Sequence, residues 1–425
     1  MGKSEILDNV FEKFVNNTKV FRDREVLRHD YLPDRLPHRE EQIRLLGETV
    51  APVLKGARSS NILIYGKTGT GKTAVTKYVL AHLEAKAKEF NAPVRFSYVN
   101  CRMAGSEYRV FAGLCQSVGL SVPFTGLSVG EVFDRFKTGL EASAIIFIVI
   151  LDEIDALIKV RGDRLLYELT RINESLCKSK VSLVGISNDL RLKEFLDPRV
   201  LSSLSEEEVV FRPYDASELR NILLERVKSA FCDGALSDGA LSICAALAAA
   251  EHGDARRALD LLRVAGEIAE RNDATVVVEG HVKEAEKHIE RNRVVETLKN
   301  LTLHSKLVIL SVYHLSRANV SSAVTGEIYE IYNELCGQLG IALLTQRRLS
   351  TLVNELDSMG LLNAKVISMG RYGRTKKIRL EIPRTLIGDV FANDSRLARL
   401  VGCGPECLSK HARGGGLKTE DSRKI

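Results

Sequence analysis

No part of this sequence is apolar for long enough to cross a bilayer. The longest such run, Ala144 to Leu151, has eight residues, against the roughly 20 that a spanning helix needs, so no membrane partner is expected. Met1 to Asn9 lacks the apolar segment of a signal peptide, and the expected location is cytoplasmic. Close cysteine pairs are absent as well. The eight cysteines lie scattered through expected helices and strand ends with no C-x-x-C, which suits buried, reduced thiols better than a disulfide framework. Cys403, Cys407 and His411 are the one grouping that suggests a metal. They lack the fourth ligand of a structural zinc site and precede Gly414-Gly415-Gly416, so an unstructured terminus competes with that reading. There is no internal repeat or low-complexity tract of any length.

The charge imbalance is also small, +6 over 425 residues, so its location matters more than its size. Between Leu344 and Glu381 eight Lys or Arg residues stand against three acids, a net of +5. Nearly the whole excess sits there, the footprint of a local phosphate-binding surface. A chain of this length, 45% hydrophobic and 27% charged, needs two or three domains.

Met1 to Val53 reads as two amphipathic helices around a polar link, bent at Pro33 and Pro37. From Asn61 the pattern changes to short β-branched runs separated by helical stretches: Asn61–Tyr65, Val94–Val99, Ile145–Leu151 and Val181–Ile186. Strands of this kind, buried on both faces, predict a parallel sheet. Beyond Pro213 the sequence becomes Ala- and Leu-rich and helical through Asn300. Thr302 to Pro383 then gives three helices and two short strands, the order of a winged helix-turn-helix. The fold class is α/β, with expected boundaries of 1–212 for the nucleotide-binding core, 213–300 for an all-helical domain, 301–392 for the winged helix and 393–425 for a flexible tail.

Gly66-Lys67-Thr68-Gly69-Thr70-Gly71-Lys72-Thr73 matches G-x-x-x-x-G-K-[ST] between a predicted strand and a predicted helix. Such glycines let backbone N–H groups and a helix N-terminus point at phosphates. Lys72 then neutralises β/γ oxygens and the Thr73 hydroxyl ligates Mg2+. Asp152 and Glu153 end an apolar strand about 80 residues later. Asp152 is expected to hold the Mg2+, and Glu153 to position or deprotonate the attacking water. ATP or ADP with Mg2+ is therefore the expected cofactor, and turnover is less firmly implied than binding.

On these motifs the chain resembles the AAA+ ATPases, and within them archaeal initiators related to the origin recognition complex and the cell-division-control loader, from about Val20 to Ile382. The resemblance implies a P-loop core, a helical lid and a C-terminal winged helix. It implies that Asn188, in Val184-Gly185-Ile186-Ser187-Asn188-Asp189, reads the γ-phosphate as sensor 1. Arg199, in Asp197-Pro198-Arg199-Val200, becomes the arginine finger for a neighbouring subunit's nucleotide, although an exposed Arg after a Pro is ordinarily just solvated. Gly253-Asp254-Ala255-Arg256-Arg257 resembles sensor 2, with Arg256 meeting the γ-phosphate through a fork suited to phosphate oxygens. Phe211-Arg212-Pro213-Tyr214 resembles the hinge into the lid, with Tyr214 and Arg226 beside the nucleotide, and Arg39 falls in the segment resembling the adenine-recognition box.

Thr345-Gln346-Arg347-Arg348-Leu349 opens a helix whose Leu349, Leu352, Val353, Leu356 and Met359 follow helical spacing and which Gly360 stops. Arg347, Arg348 and Ser350 then face a major groove. Cations at a helix N-terminus oppose its dipole, which hints at an external anion. A hairpin follows with a basic tip, Gly370-Arg371-Tyr372-Gly373-Arg374, and Lys376 beyond it. Arg371 and Arg374 can enter a minor groove or grip phosphates, and Tyr372 adds an amphipathic contact. Double-stranded DNA is the expected partner, which places the protein at the nucleoid. Arg102, Glu107, Tyr108 and Arg109 belong either to a second DNA contact or to an ordinary connecting helix.

The favoured reading is an ATP-dependent initiator that binds origin duplex, with neighbouring initiator subunits and the replicative helicase as partners implied by resemblance. The rivals are an ATP-gated winged-helix transcription regulator and a clamp loader, the latter requiring a helical collar in place of the wing.

Overall fold

The computed structural model describes residues 20–204, 206–320, 322–368 and 374–402. The chain divides into two compact units after Ala285. In the first, strands β1 (Ile62–Gly66), β2 (Val94–Asn100), β3 (Ile146–Asp152), β4 (Lys180–Ser187) and β5 (Glu207–Phe211) form one sheet in the order β2-β3-β4-β1-β5. Every pairing in it is parallel.

The central strands are apolar at consecutive positions because both faces are covered. On β3, Phe147, Val149 and Leu151 pack with Phe111, Phe136 and Leu166, whereas Ile146, Ile148 and Ile150 face Val75, Val79 and Val50. Each such fully buried side chain contributes roughly 1.5–3 kcal/mol by removal from water. The sheet has a fifth strand beyond the four runs predicted. Glu207-Glu208 reads as loop, but β5 is an edge strand that buries Val209 and Phe211 and leaves Val210 52% exposed. β2, the other edge, is only partly buried.

Of the two helices expected before Val53, the second spans Glu40–Val50. Ahead of it the described residues contain only a short 3-10 turn, Arg24–Leu27, and the first helix's remaining positions lie outside the described residues. This segment closes onto the helical domain. The rings of Phe21 and Phe231 lie 4.9 Å apart, and Arg24 pairs with Glu270 at 2.9 Å. The helical domain has helices Ala216–Ala230, Asp238–Ala250 and Ala255–Arg271, and the next helix, Glu279–Asn300, runs past the division after Ala285 so that its Leu298 joins the core of the second unit.

The second unit holds helices Leu303–Arg317, Thr325–Leu339 and Gln346–Ser358, and a sheet of β6 (Ala323–Val324), β7 (Leu362–Ser368) and β8 (Arg374–Leu380) in the order β6-β8-β7. Its pairings are antiparallel. This is a winged helix and not the helical collar of the clamp-loader alternative. Two expectations fail here. Met359 is 55% exposed, because it caps the helix end at Gly360 (φ +71) and turns away from the core. The supposed tail is ordered through Gly402: helix Ala398–Gly402 continues the fold, and Leu397 and Leu400 join the same core as Leu349 and Phe391.

Cys101, Cys115, Cys244 and Cys336 are buried, no disulfide joins the described cysteines, and Cys177 departs from expectation by being exposed. Cys403, Cys407 and His411 lie outside the described residues. Among the described residues no helix is long and apolar enough to cross a membrane.

Candidate functional site

The loop after β1 is shaped by its glycines. Gly69 (φ +74) and Gly71 (φ +91) adopt left-handed backbone that other residues avoid, and a Cβ on Gly66 would strike the Phe211 carbonyl of β5. Gly71 caps helix Lys72–Glu89, directing that N-terminus at the loop's concavity. Lys72 Nζ donates to the carbonyls of Gly66 and Lys67, both at 2.7 Å. Thr70 Oγ1 also donates to Lys67, at 2.8 Å. Lys72 is only 5% exposed. Burial pushes its ammonium down to about 8, against the opposing pull of Asp152.

Asp152 ends β3 beside this loop. Its Oδ2 accepts from Thr73 Oγ1 at 2.8 Å and from the Tyr98 hydroxyl at 2.5 Å, and its Oδ1 accepts from the Glu153 amide at 2.8 Å. A hydroxyl and a carboxylate this close are hard oxygen donors of the kind that fit Mg2+. Glu153 stands in left-handed backbone (φ 53) at the start of helix Ile154–Arg161, with Arg102 3.6 Å from its carboxylate. Asn188 follows β4, and its backbone N–H donates to Asp155 Oδ1 at 3.0 Å.

The helical domain closes the other side. Asp254 accepts from the amides of Arg256 and Arg257 at 2.8 and 3.4 Å. The Ala255 amide donates to the Gly69 carbonyl at 3.1 Å, and the Tyr214 amide donates to that of Gly253 at 3.3 Å. Between these domains lies a cavity of about 390 Å³ lined by Thr68, Gly69, Gly71, Lys72, Thr73, Asp152, Glu153, Asn188, Tyr214, Arg226 and Arg256 among others. The motifs read from sequence therefore converge on one space.

Some predicted residues do not line it. Arg39 is buried, and its guanidinium donates to the carbonyls of Thr70, His38 and Arg212 at 3.0, 2.8 and 2.8 Å. It lies 3.7 Å from the Tyr214 ring centroid. Arg39, expected in the segment resembling the adenine-recognition box, thus holds the phosphate loop and the hinge together without lining the cavity. Arg226 faces the cavity, but its guanidinium also holds the carbonyls of Val26 and Tyr31 at 3.2 and 3.3 Å. Arg199 is exposed at the start of helix Pro198–Leu204.

Sequence reasoning missed the wall formed by His29 to Pro37, with Ile222 and Leu259 opposite. The two prolines marked its bend, and nothing marked its destination. Asp155 and Tyr98 were missed too, because a lone Asp and a strand Tyr carry no motif.

In the second unit Thr345 caps the Gln346–Ser358 helix by accepting from the Arg348 amide at 3.3 Å. Arg347 and Arg348 are exposed on its first turn and Ser350 is half-buried. Arg347, Ser350, Val366 and Lys376 share a concavity between helix and hairpin, and the Lys376 ammonium donates to Asn354 Oδ1. Lys365 and Lys377, both exposed, sit directly opposite on β7 and β8. Like charges so paired destabilise a hairpin unless an external anion lies over them. Arg371, Tyr372 and the side chain of Arg374 lie outside the described residues.

The chain matches three protein families: "AAA domain" over residues 57–193, "Cdc6 AAA+ ATPase-type lid domain" over 220–287 and "CDC6, C terminal winged helix domain" over 296–390. An ORC1-type DNA replication protein of Thermococcus onnurineus is 50% identical over 399 residues, covering 93% of this chain and 96% of that protein. The chain belongs to the ORC1-type DNA replication proteins. An ORC1-type relative from Methanosarcina acetivorans is 49% identical over 403 residues, 94% of this chain and 97% of its own. The solved structure of the Aeropyrum pernix ORC1 protein in complex with DNA superposes on this ORC1-type chain with a TM-score of 0.81 and 50% identity, covering 90% of this chain and 99% of that one. Membership in this AAA+ family makes it a nucleotide-binding protein.

Proposed function

We propose that this chain is an ATP-dependent initiator of DNA replication that binds origin duplex DNA and switches between states with its nucleotide. The observation that carries the reading is the single cavity shared by Lys72, Thr73, Asp152, Asn188 and Arg256, in a chain whose second unit is a winged helix with exposed Arg347, Arg348, Lys365 and Lys377.

In this reading Gly66 to Gly71 wrap the phosphates, Lys72 neutralises β/γ oxygens, and Thr73 and Asp152 hold Mg2+. The metal, when bound, offsets negative charge on the phosphates. Glu153 orients a water and accepts its proton as the water oxygen attacks the γ-phosphorus and ADP departs. Asn188 and Arg256 contact the γ-phosphate, Arg199 reaches a neighbouring subunit's nucleotide, Tyr214 and Arg226 flank base and ribose, and Arg39 supports them indirectly. On DNA, Arg347, Arg348 and Ser350 address a major groove while Arg371, Tyr372, Arg374 and Lys376 form the wing contact. The domains follow as core 1–212, lid 213–300 and winged helix beyond. Recruitment of the replicative helicase and action at the nucleoid extend the same reading.

The test is duplex binding as a function of salt. Arg371→Ala with Arg374→Ala is expected to weaken binding and to reduce the slope of log affinity on log salt by about one to two. An unchanged slope would remove the wing from the interface.

A further inference from the structure

Three donors hold the Asp152 carboxylate, and one belongs to no nucleotide-binding motif. The backbone of Glu153 fixes Oδ1, whereas Oδ2 takes both the Thr73 hydroxyl and the Tyr98 phenol. Tyr98 lies on edge strand β2, where it pairs with Ile150 of β3, and Asp152 is two residues further along that strand. Positions two apart on a strand share a face, so the phenol reaches along the sheet to the carboxylate. Its ring also lies under Lys77 of the phosphate-loop helix, whose ammonium is 4.8 Å from the ring centroid. Asp152 is buried while Tyr98 is 38% exposed, so the hydroxyl is brought to the carboxylate from the open side of the sheet.

We propose that Tyr98 is a positioning residue for the Mg2+ site, aiming Asp152 Oδ2 at the Thr73 hydroxyl. The inference rests on the nucleotide-site reading above. Without the phenol, Oδ2 is held by the Thr73 hydroxyl alone, the group assigned to the metal itself, and the carboxylate's terminal torsion, which is broad and soft, loses the one restraint on that oxygen that does not come from the site. Mg2+ demands near-ideal octahedral geometry and tolerates such rotation poorly. Partners that orient a metal ligand change metal affinity by about 10–100-fold when removed. Tyr98→Phe keeps the ring and its contact with Lys77 and removes only the donor.

The experiment measures binding of a fluorescent ATP analogue to the full chain while Mg2+ is titrated, and separately in EDTA. Tyr98→Phe is expected to raise the Mg2+ midpoint about tenfold while leaving the affinity in EDTA and the nucleotide-free Tm unchanged. An unchanged midpoint overturns the proposal. A fall in both EDTA affinity and Tm assigns Tyr98 a structural role and overturns it equally. Thr73→Ala separates the two levels of inference. If Thr73→Ala shifts the midpoint and Tyr98→Phe does not, only the role of Tyr98 is wrong; if neither shifts it, the Mg2+ site itself is misassigned.

Discussion

The amide of Ala255 donates to the carbonyl of Gly69 across 3.1 Å, tying the lid helix that carries Arg256 to the phosphate loop itself. Asp254, the cap of that helix, lies where a Cβ on Gly69 would have to go. At this point the lid meets the loop through a glycine and a backbone hydrogen bond.

Gly69→Ala should break this joint. It places a side chain both in left-handed backbone and against Asp254, a strain of about 1–3 kcal/mol. ATP affinity measured by calorimetry is expected to fall at least roughly tenfold, the equivalent of 1.4 kcal/mol. Wild-type affinity in this variant would mean that lid and loop bind nucleotide independently.

Nucleotide affinity should depend on pH through Lys72. Burial lowers its ammonium to about 8, and phosphate oxygens bind the charged form. Affinity is thus fully present below pH 8 and declines as pH rises through it, by up to about tenfold per unit, until the complexed lysine itself titrates. Titrations of ATP binding between pH 7 and 9.5 check the slope. Lys72→Ala should flatten it and remove most of the affinity.

Arg39→Ala leaves the buried carbonyl of Thr70 and the part-buried carbonyl of Arg212 without their donor and strips the face of Tyr214 of its cation. A loss of about 3 kcal/mol is expected in denaturant unfolding of the nucleotide-free chain. Arg39→Lys should recover only part of it, since an ammonium cannot reproduce the planar fork.

His314 is buried in helix Leu303–Arg317, and its ring nitrogens make no hydrogen bond of good geometry among the described residues, only a looser approach to the Leu400 backbone. Burial, then Arg317, pushes its imidazolium down to about 4, with the Leu400 backbone opposing. The unfolded chain binds this proton near 6.5 and the folded one near 4, so stability is full above about pH 6.5 and is lost as pH falls towards 4. Urea unfolding followed at the winged helix should show that slope, and His314→Leu should flatten it.

What the sequence made legible was local and periodic. Gly66 to Thr73 carries its geometry in its glycines, Ile146 to Leu151 declares a buried strand by its composition, and Thr345 and Gly360 bracket a helix with their own chemistry. Arg39 shows the limit. Its type and neighbourhood pointed to the nucleotide, but two carbonyls distant in sequence, those of Thr70 and Arg212, decide where its guanidinium goes. β5 was hidden because Glu207 and Glu208 suit an edge strand's open side and resemble loop in isolation. Leu397 and Leu400 were hidden because so short an apolar stretch before a glycine-rich terminus does not announce a helix. Tyr98 and Asp155 gain their meaning only from a partner strand or the end of a neighbouring one.

The central claim, a nucleotide-governed initiator acting at origins, is tested most directly by mapping the chain's binding sites across its genome, for wild type and for Lys72→Ala. The account predicts wild-type occupancy concentrated at sites where replication begins, and reduced or redistributed occupancy in the variant. Occupancy confined to promoters would contradict it.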